Sequence, residues 1–191
     1  NDLGKFCALN VTAGNGCLSV GGAHWIGLYL QMSDSIQDIF VQSNITQSYD
    51  SPRSKTLSVL SGNIQLSSVN GDLNLIFHRK SRIAPNACFL FEGGYITFSI
   101  DGELTVHSVA DFSNLKPHQY KIPKMILSKK IIFEDIFEKI AKGWETTELP
   151  SVGDGLRVSE ILLAALHNSG LKVTGLENII NGNPDIEYPI T

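Results

Sequence analysis

The chain has 191 residues, 15 Lys and Arg against 19 Asp and Glu, and a net charge of −4. That length buries a core without disulfides or a metal, and the acidic balance leaves no electrostatic footprint for nucleic acid. Charged residues make up 18%, against roughly 25% in average domains, which argues against disorder and hints at surface that a partner covers.

The stretch Phe6 to Ser33 contains no Asp, Glu, Lys or Arg. Five glycines and His24 interrupt it, so it reads as strand, turn and helix rather than a membrane span. Lys5 to Thr12 is the predicted strand, with β-branched Val11 and Thr12. Gly14-Asn15-Gly16 is a turn. From Leu18 to Met32 the residues Leu18, Trp25, Leu28 and Met32 fall near helical spacing, and Ile26, Tyr29 and Leu30 broaden the stripe. The glycines of this helix point to close approach of another backbone or of a ligand.

From Ile39 the period changes to two. Strands are predicted at Ile39 to Ile45, more weakly at Leu57 to Leu60, and from Ile64 to Ser68. Asn70-Gly71 reads as a two-residue hairpin turn that needs positive φ. Leu73, Leu75 and Phe77 mark the returning strand. Phe89 and Phe91 lead to a second hairpin at Glu92-Gly93-Gly94, then to Tyr95, Thr97 and Ser99. Asp101-Gly102 makes a third, before Leu104 to Val109. Ala110 to Pro123 reads as a loop with two prolines. Amphipathic helices are predicted at Ile131 to Lys142, stopped by Gly143, and from about Gly155 to Asn168, with Ser151 and Asp154 as N-cap candidates. The order gives an α+β fold: a large, mostly antiparallel, open-faced sheet with helices on one face. The other face must meet solvent, a partner or another domain. Ser67, Ser68, Tyr95, Thr97 and Ser99 make it half polar, which predicts packing into a dimer or higher oligomer.

Cys7, Cys17 and Cys88 are odd in number and lack CxxC spacing, so they read as buried, reduced thiols. His78, His107, His118 and His167 are too scattered for a metal site. Sequons occur at Asn10 and Asn44, but nothing else suggests secretion, and the expected location is cytoplasmic. The chain has no G-x-G-x-x-G after a strand and no G-x-x-x-x-G-K-[ST]. The informative segment is Gly14 to Ile26, GNGCLSVGGAHWI. The pattern leaves His24 open between a core histidine and an acid/base residue, its helix thinned by glycines beside a cleft.

That segment resembles the glycine-rich, histidine-containing signature of the Gfo/Idh/MocA family, the glucose–fructose oxidoreductase and inositol dehydrogenase relatives. FEDIFEKIAKG at Phe133 to Gly143 is similar to the family's F-x-x-A-I-x-x-G helix. LPSVGDGLRVSEIL at Leu149 to Leu162 is similar to its P-x-x-x-x-D-G-L-x-x-x-x-I element, and Phe91 to Ile100 to its G-x-x-G-x-l-x-i-d strand pair. The resemblance implies the C-terminal, substrate-binding and oligomerisation domain, one α+β domain over 1–191. The Rossmann domain that binds NAD or NADP is then expected to lie before Asn1. It further implies that His24 exchanges a proton with substrate while hydride moves to or from nicotinamide, and that Asn10 and Thr12 contact substrate hydroxyls. Gly22 matches the glycine two before the histidine. The family's acidic residues four before and three after the histidine are Val20 and Gly27 here, so His24 lacks its usual carboxylate helpers. A non-catalytic member, acting as a ligand-binding or assembly subunit, is the alternative. Arg53 and Lys55 read as solvated loop charges that could reach a substrate anion or a neighbouring subunit. The expected substrate is carbohydrate-like.

Overall fold

The computed structural model describes residues 3–14, 18–33, 38–48, 59–99, 103–108, 118–121 and 151–170. The expected helix at Ile131 to Lys142, the Asp101-Gly102 turn, Cys17, Arg53 and Lys55 lie outside the described residues.

The elements run β1 (Phe6–Gly14), α1 (Leu18–Ser33), β2 (Phe40–Ser48), β3 (Val59–Ser68), β4 (Gly71–His78), β5 (Asn86–Phe91), β6 (Gly94–Ser99), β7 (Glu103–Ser108), β8 (His118–Lys121) and α2 (Val152–Asn168). The strands form one sheet in the order β2-β3-β4-β1-β5-β6-β7-β8. Six pairings are antiparallel, and β1 with β4 is parallel. The α+β reading and the mostly antiparallel sheet are therefore borne out. The place of β1 is not a sequence feature. It inserts between two meanders, β2-β3-β4 and β5 to β8, where its alternate residues Leu9, Val11 and Ala13 are buried under the helices.

One sheet face carries Leu9, Val11 and Ala13 of β1, Ile64 and Leu66 of β3, and Leu73, Leu75 and Phe77 of β4, all buried. Leu18, Ile26 and Tyr29 of α1 and Ile161, Ala165 and Leu166 of α2 close over it. Among the described elements, the helices pack on the β1 to β4 half, on one face, as expected. Tyr29 ties helix to hairpin: its single O–H is shared between Ser68 Oγ and the Gly71 carbonyl, each at 2.9 Å. Burial pushes its phenol pKa up, so this donor stays protonated. Ser68 thus faces the helices. The expectation that it shares the open face with Ser67 is corrected by simple alternation along β3.

Three further details differ from the sequence reading. The β3–β4 turn holds Val69 and Asn70, with Gly71 already paired to Ser68 and carrying the positive φ of +139°. β8 lies inside the stretch read as a loop; it is a four-residue edge strand on β7 whose HQYK sequence has no apolar alternation. Cys7 is exposed rather than buried, because the β1–β5 register shifts between Phe6 and Ala8 and leaves Cys7 at the irregularity.

α2 starts at Val152, three residues before the expected Gly155, because Ser151 caps it. The Asp154 amide donates to Ser151 Oγ at 3.1 Å, and the Ser151 amide donates to Asp154 Oδ2 at 2.6 Å, closing a capping box. These bonds from Ser151 hold the Asp154 carboxyl below the usual range. The cap is therefore intact above the ordinary carboxylate pKa and fails as pH falls through the depressed one. Ser151→Ala is expected to cost about 1 kcal/mol, read as a lower denaturation midpoint at neutral pH. The deficit should shrink in acid.

Candidate active-site helix and open sheet face

α1 is fixed by its inner residues. Leu18, Gly22, Ile26, Tyr29 and Ser33 are buried and fall on one side at helical spacing. The glycines serve that packing. A Cβ on Gly21 would lie 2.7 Å from Phe77 Cε1 on β4, and one on Gly27 would lie 3.8 Å from Val158 Cγ2 on α2. They seat α1 on the sheet and beside α2, rather than opening a cleft next to His24.

His24 lies on the opposite side of the helix and is exposed, so the core-histidine alternative falls. Its neighbours one turn away are Val20, Gly21, Gly27 and Leu28, with no carboxylate among them. Val20 is 49% exposed. On α2, Val152 and Leu156 are 82% and 61% exposed. The two helices thus carry unburied apolar side chains as well as an exposed imidazole. Arg157 and Glu160 form an ion pair of 3.0 Å on α2, exposed and of small energetic weight.

Asn10 and Thr12 do not join His24. Leu9, Val11 and Ala13 point to the helices, so Asn10 and Thr12 point to the open face. The sheet and α1, about 10–12 Å across with its side chains, separate them from the imidazole. Asn10 Oδ1 accepts from Asn74 Nδ2 at 2.8 Å.

That open face has an order only the register reveals. One row crosses all eight strands at Gln42, Gln65, Asn74, Asn10, Cys88, Thr97, Thr105 and Gln119. No member of it is charged. The next row runs Asn44, Asn63, Ile76, Thr12, Asn86 and Ser99. The row on the other side includes Phe40, Leu90, Tyr95 and His107, with Asp72 its charged member. Tyr95 and His107 stack at 4.2 Å and 15°. Burial pushes the Cys88 thiol pKa up.

No protein-family model matches the sequence, and no curated protein does. The fold, in contrast, matches solved structures. A dehydrogenase from Clostridium difficile superposes with a TM-score of 0.60 at 12% identity, over 95% of this chain and 56% of its own. An oxidoreductase from Thermotoga maritima gives 0.59 at 16%, over 88% and 53%. A 3-ketoreductase from Actinomadura kijaniata, in complex with TDP-benzene and NADP, gives 0.60 at 13%, over 87% and 53%. The chain spans about half the length of the structures it matches. The resemblance to the C-terminal domain of Gfo/Idh/MocA oxidoreductases is thus borne out in the fold.

Proposed function

We propose that the chain is the substrate-binding and assembly domain of an oxidoreductase, with His24 as its proton-transfer residue. The reaction moves hydride between NAD or NADP and a hydroxyl or carbonyl of a sugar, polyol or sugar derivative. The observation that carries this reading is the position of His24. It is exposed on the outer side of α1, beside half-exposed Val20, in a fold shared with dehydrogenases over about half their length. Exposed Val152 and Leu156 suit a surface that a nucleotide-binding domain covers.

The chemistry assigned to this chain is modest. The neutral imidazole of His24 accepts the hydroxyl proton as the carbon is oxidised, and the imidazolium returns it in the reverse direction. The nicotinamide, held by the other domain, supplies the hydride acceptor when bound. Covering the helix layer excludes water and strengthens the hydrogen bond from the imidazole to substrate.

Calorimetric titration with the nicotinamide cofactors tests the division of labour. The full-length protein is expected to bind NAD(H) or NADP(H), and this chain alone is expected not to. Tight cofactor binding by this chain would overturn it. Turnover is followed by nicotinamide absorbance over a panel of sugars and polyols.

Val20 and Gly27, in place of carboxylates, favour a second reading, a ligand-binding or assembly subunit without redox chemistry. It requires sugar binding by the full-length protein with no turnover on either cofactor. In both readings the open face receives a second copy of the chain. The absence of charge from its eight-strand row supports that occupant, since a desolvated interface centre excludes charged residues.

A further inference from the structure

We propose that a cleft on the open sheet face, at its β2 edge, binds a neutral monosaccharide. It is a second ligand site, on the face opposite His24, and it stands independently of the proton-transfer role.

The cleft has a volume of about 510 Å³ and is lined by Phe40, Gln42 and Asn44 of β2, Asn63 and Gln65 of β3, and Asn168 of α2. Ligand pockets span roughly 300–1,000 Å³, so the space suits one small molecule. Strand register explains the lining. Phe40, Gln42 and Asn44 alternate with Val41 and Ser43, so they share the open face. Gln42 pairs with Gln65, and Asn44 with Asn63. Facing Cβ atoms lie about 5 Å apart, and successive residues on one face about 7 Å apart. Four carboxamides thus start from the corners of a rectangle comparable with one pyranose ring and its hydroxyls.

The wall of the cleft is tethered. The Val41 carbonyl accepts from Asn168 Nδ2 at 2.9 Å, and Ser43 Oγ donates to the Ala165 carbonyl, so the end of α2 holds this stretch of β2. Gly62, at φ +136°, pairs with Ile45 beside the Asn44–Asn63 pair. A Cβ there would lie 2.9 Å from Ile45 Cα, so the two strands approach as only glycine allows. Amides carried on a tethered strand lose less freedom when a ligand binds.

The lining selects the ligand. Each carboxamide both donates and accepts, as does each hydroxyl of a sugar. Asn10 and Asn74, further along the sheet, bond to each other at 2.8 Å. Gln42, Asn44, Asn63 and Gln65 are exposed and make no side-chain hydrogen bond among the described residues. Among those residues, none that lines the cleft is charged, so nothing offsets the desolvation of an ionic ligand. Phe40, 62% exposed, offers an apolar platform to the C–H face of a sugar ring. An extended peptide adding to the edge of β2 is disfavoured, because Asn168 already occupies the Val41 carbonyl. A second copy of the chain centred on Asn10 and Cys88 leaves the β2 edge at the solvated rim.

Heteronuclear NMR of this chain, titrated with D-glucose, D-galactose and D-mannose, tests the proposal. At least one of the three is expected to shift the side-chain amide signals of Asn44 and Asn63 saturably. The double variant N44A/N63A, changed at exposed positions outside the eight-strand row, is expected to raise the dissociation constant about tenfold or more, with an unchanged circular dichroism spectrum. Phe40→Ala is expected to weaken binding as well. His24→Ala is expected to leave it unchanged. No shift with any of the three sugars, or undiminished binding by folded N44A/N63A, would overturn the proposal. Binding lost in His24→Ala but kept in N44A/N63A would give the sugar to the active-site helix, overturning the cleft and leaving the proposed function. Binding lost only in N44A/N63A, alongside undiminished turnover in His24→Ala, would sink the role of His24 and leave the cleft standing.

Discussion

Replacing His24 by Ala is expected to lower turnover of the full-length protein by about 10²–10⁴-fold, with the denaturation midpoint unchanged. The two readouts separate because of where the side chain sits. His24 is exposed and outside the buried stripe of α1, so truncation removes no core contact, and such surface changes stay within about 0.5 kcal/mol. Added imidazole is expected to restore part of the rate in His24→Ala, which a merely structural role would not allow. Val20→Asp tests the missing helper from the other direction. It places a carboxylate one turn before His24, where it favours the imidazolium. The fraction of neutral imidazole then falls at a given pH, and the acid limb of the oxidation profile is expected to move to higher pH. Unchanged turnover in His24→Ala would refute the assignment and leave the binding-subunit reading.

The sequence carries the elements better than their arrangement. Hydrophobic spacing finds α1 within a residue at each end, since the buried side needs apolar residues over four turns. The hairpins at residues 69–71 and 92–94 are legible because tight turns demand glycine. β8 is not legible, because an edge strand needs only backbone pairing on one side and imposes no alternation. The central place of β1 is equally hidden: a strand buried between two meanders has the same apolar content wherever it inserts. The site divides in the same way. His24 is marked by its type and by its resemblance motif. Its outward orientation follows only from knowing which side of α1 packs, and the glycines that suggested a cleft turn out to seat the helix on Phe77 and Val158. Asn10 and Thr12 fail as partners of His24 because strand alternation sends them through the sheet. The row to which Asn10 belongs could not be read from spacing, as it joins residues from all eight strands, and Thr12 lies in the row beside it.

A glutamate at Thr97 is expected to convert a dimer of this chain to monomer. The dimer follows from the open face receiving a second copy. Thr97 lies in the uncharged row, paired with Cys88 on one side and Thr105 on the other. In a face-to-face dimer a two-fold axis repeats each substitution, so one change buries two carboxylates. An unpaired charge in a desolvated interface costs several kcal/mol, enough to raise the dissociation constant by about 10²-fold or more. Light scattering over a concentration series reads this directly. The register also predicts where the axis falls. With the order β2-β3-β4-β1-β5-β6-β7-β8, the middle of the row is the pair Asn10 and Cys88, so an axis through the sheet centre brings the two Cys88 residues together. In a Cys7→Ser, Cys17→Ser background, mild oxidation is expected to join two chains through Cys88. The raised thiol pKa calls for mildly alkaline conditions, because the thiolate is the reacting form. The same oxidation of Thr97→Glu is expected to leave single chains. A wild-type chain that stays monomeric at high concentration, or a Thr97→Glu variant that still dimerises, would show that the uncharged face serves another occupant.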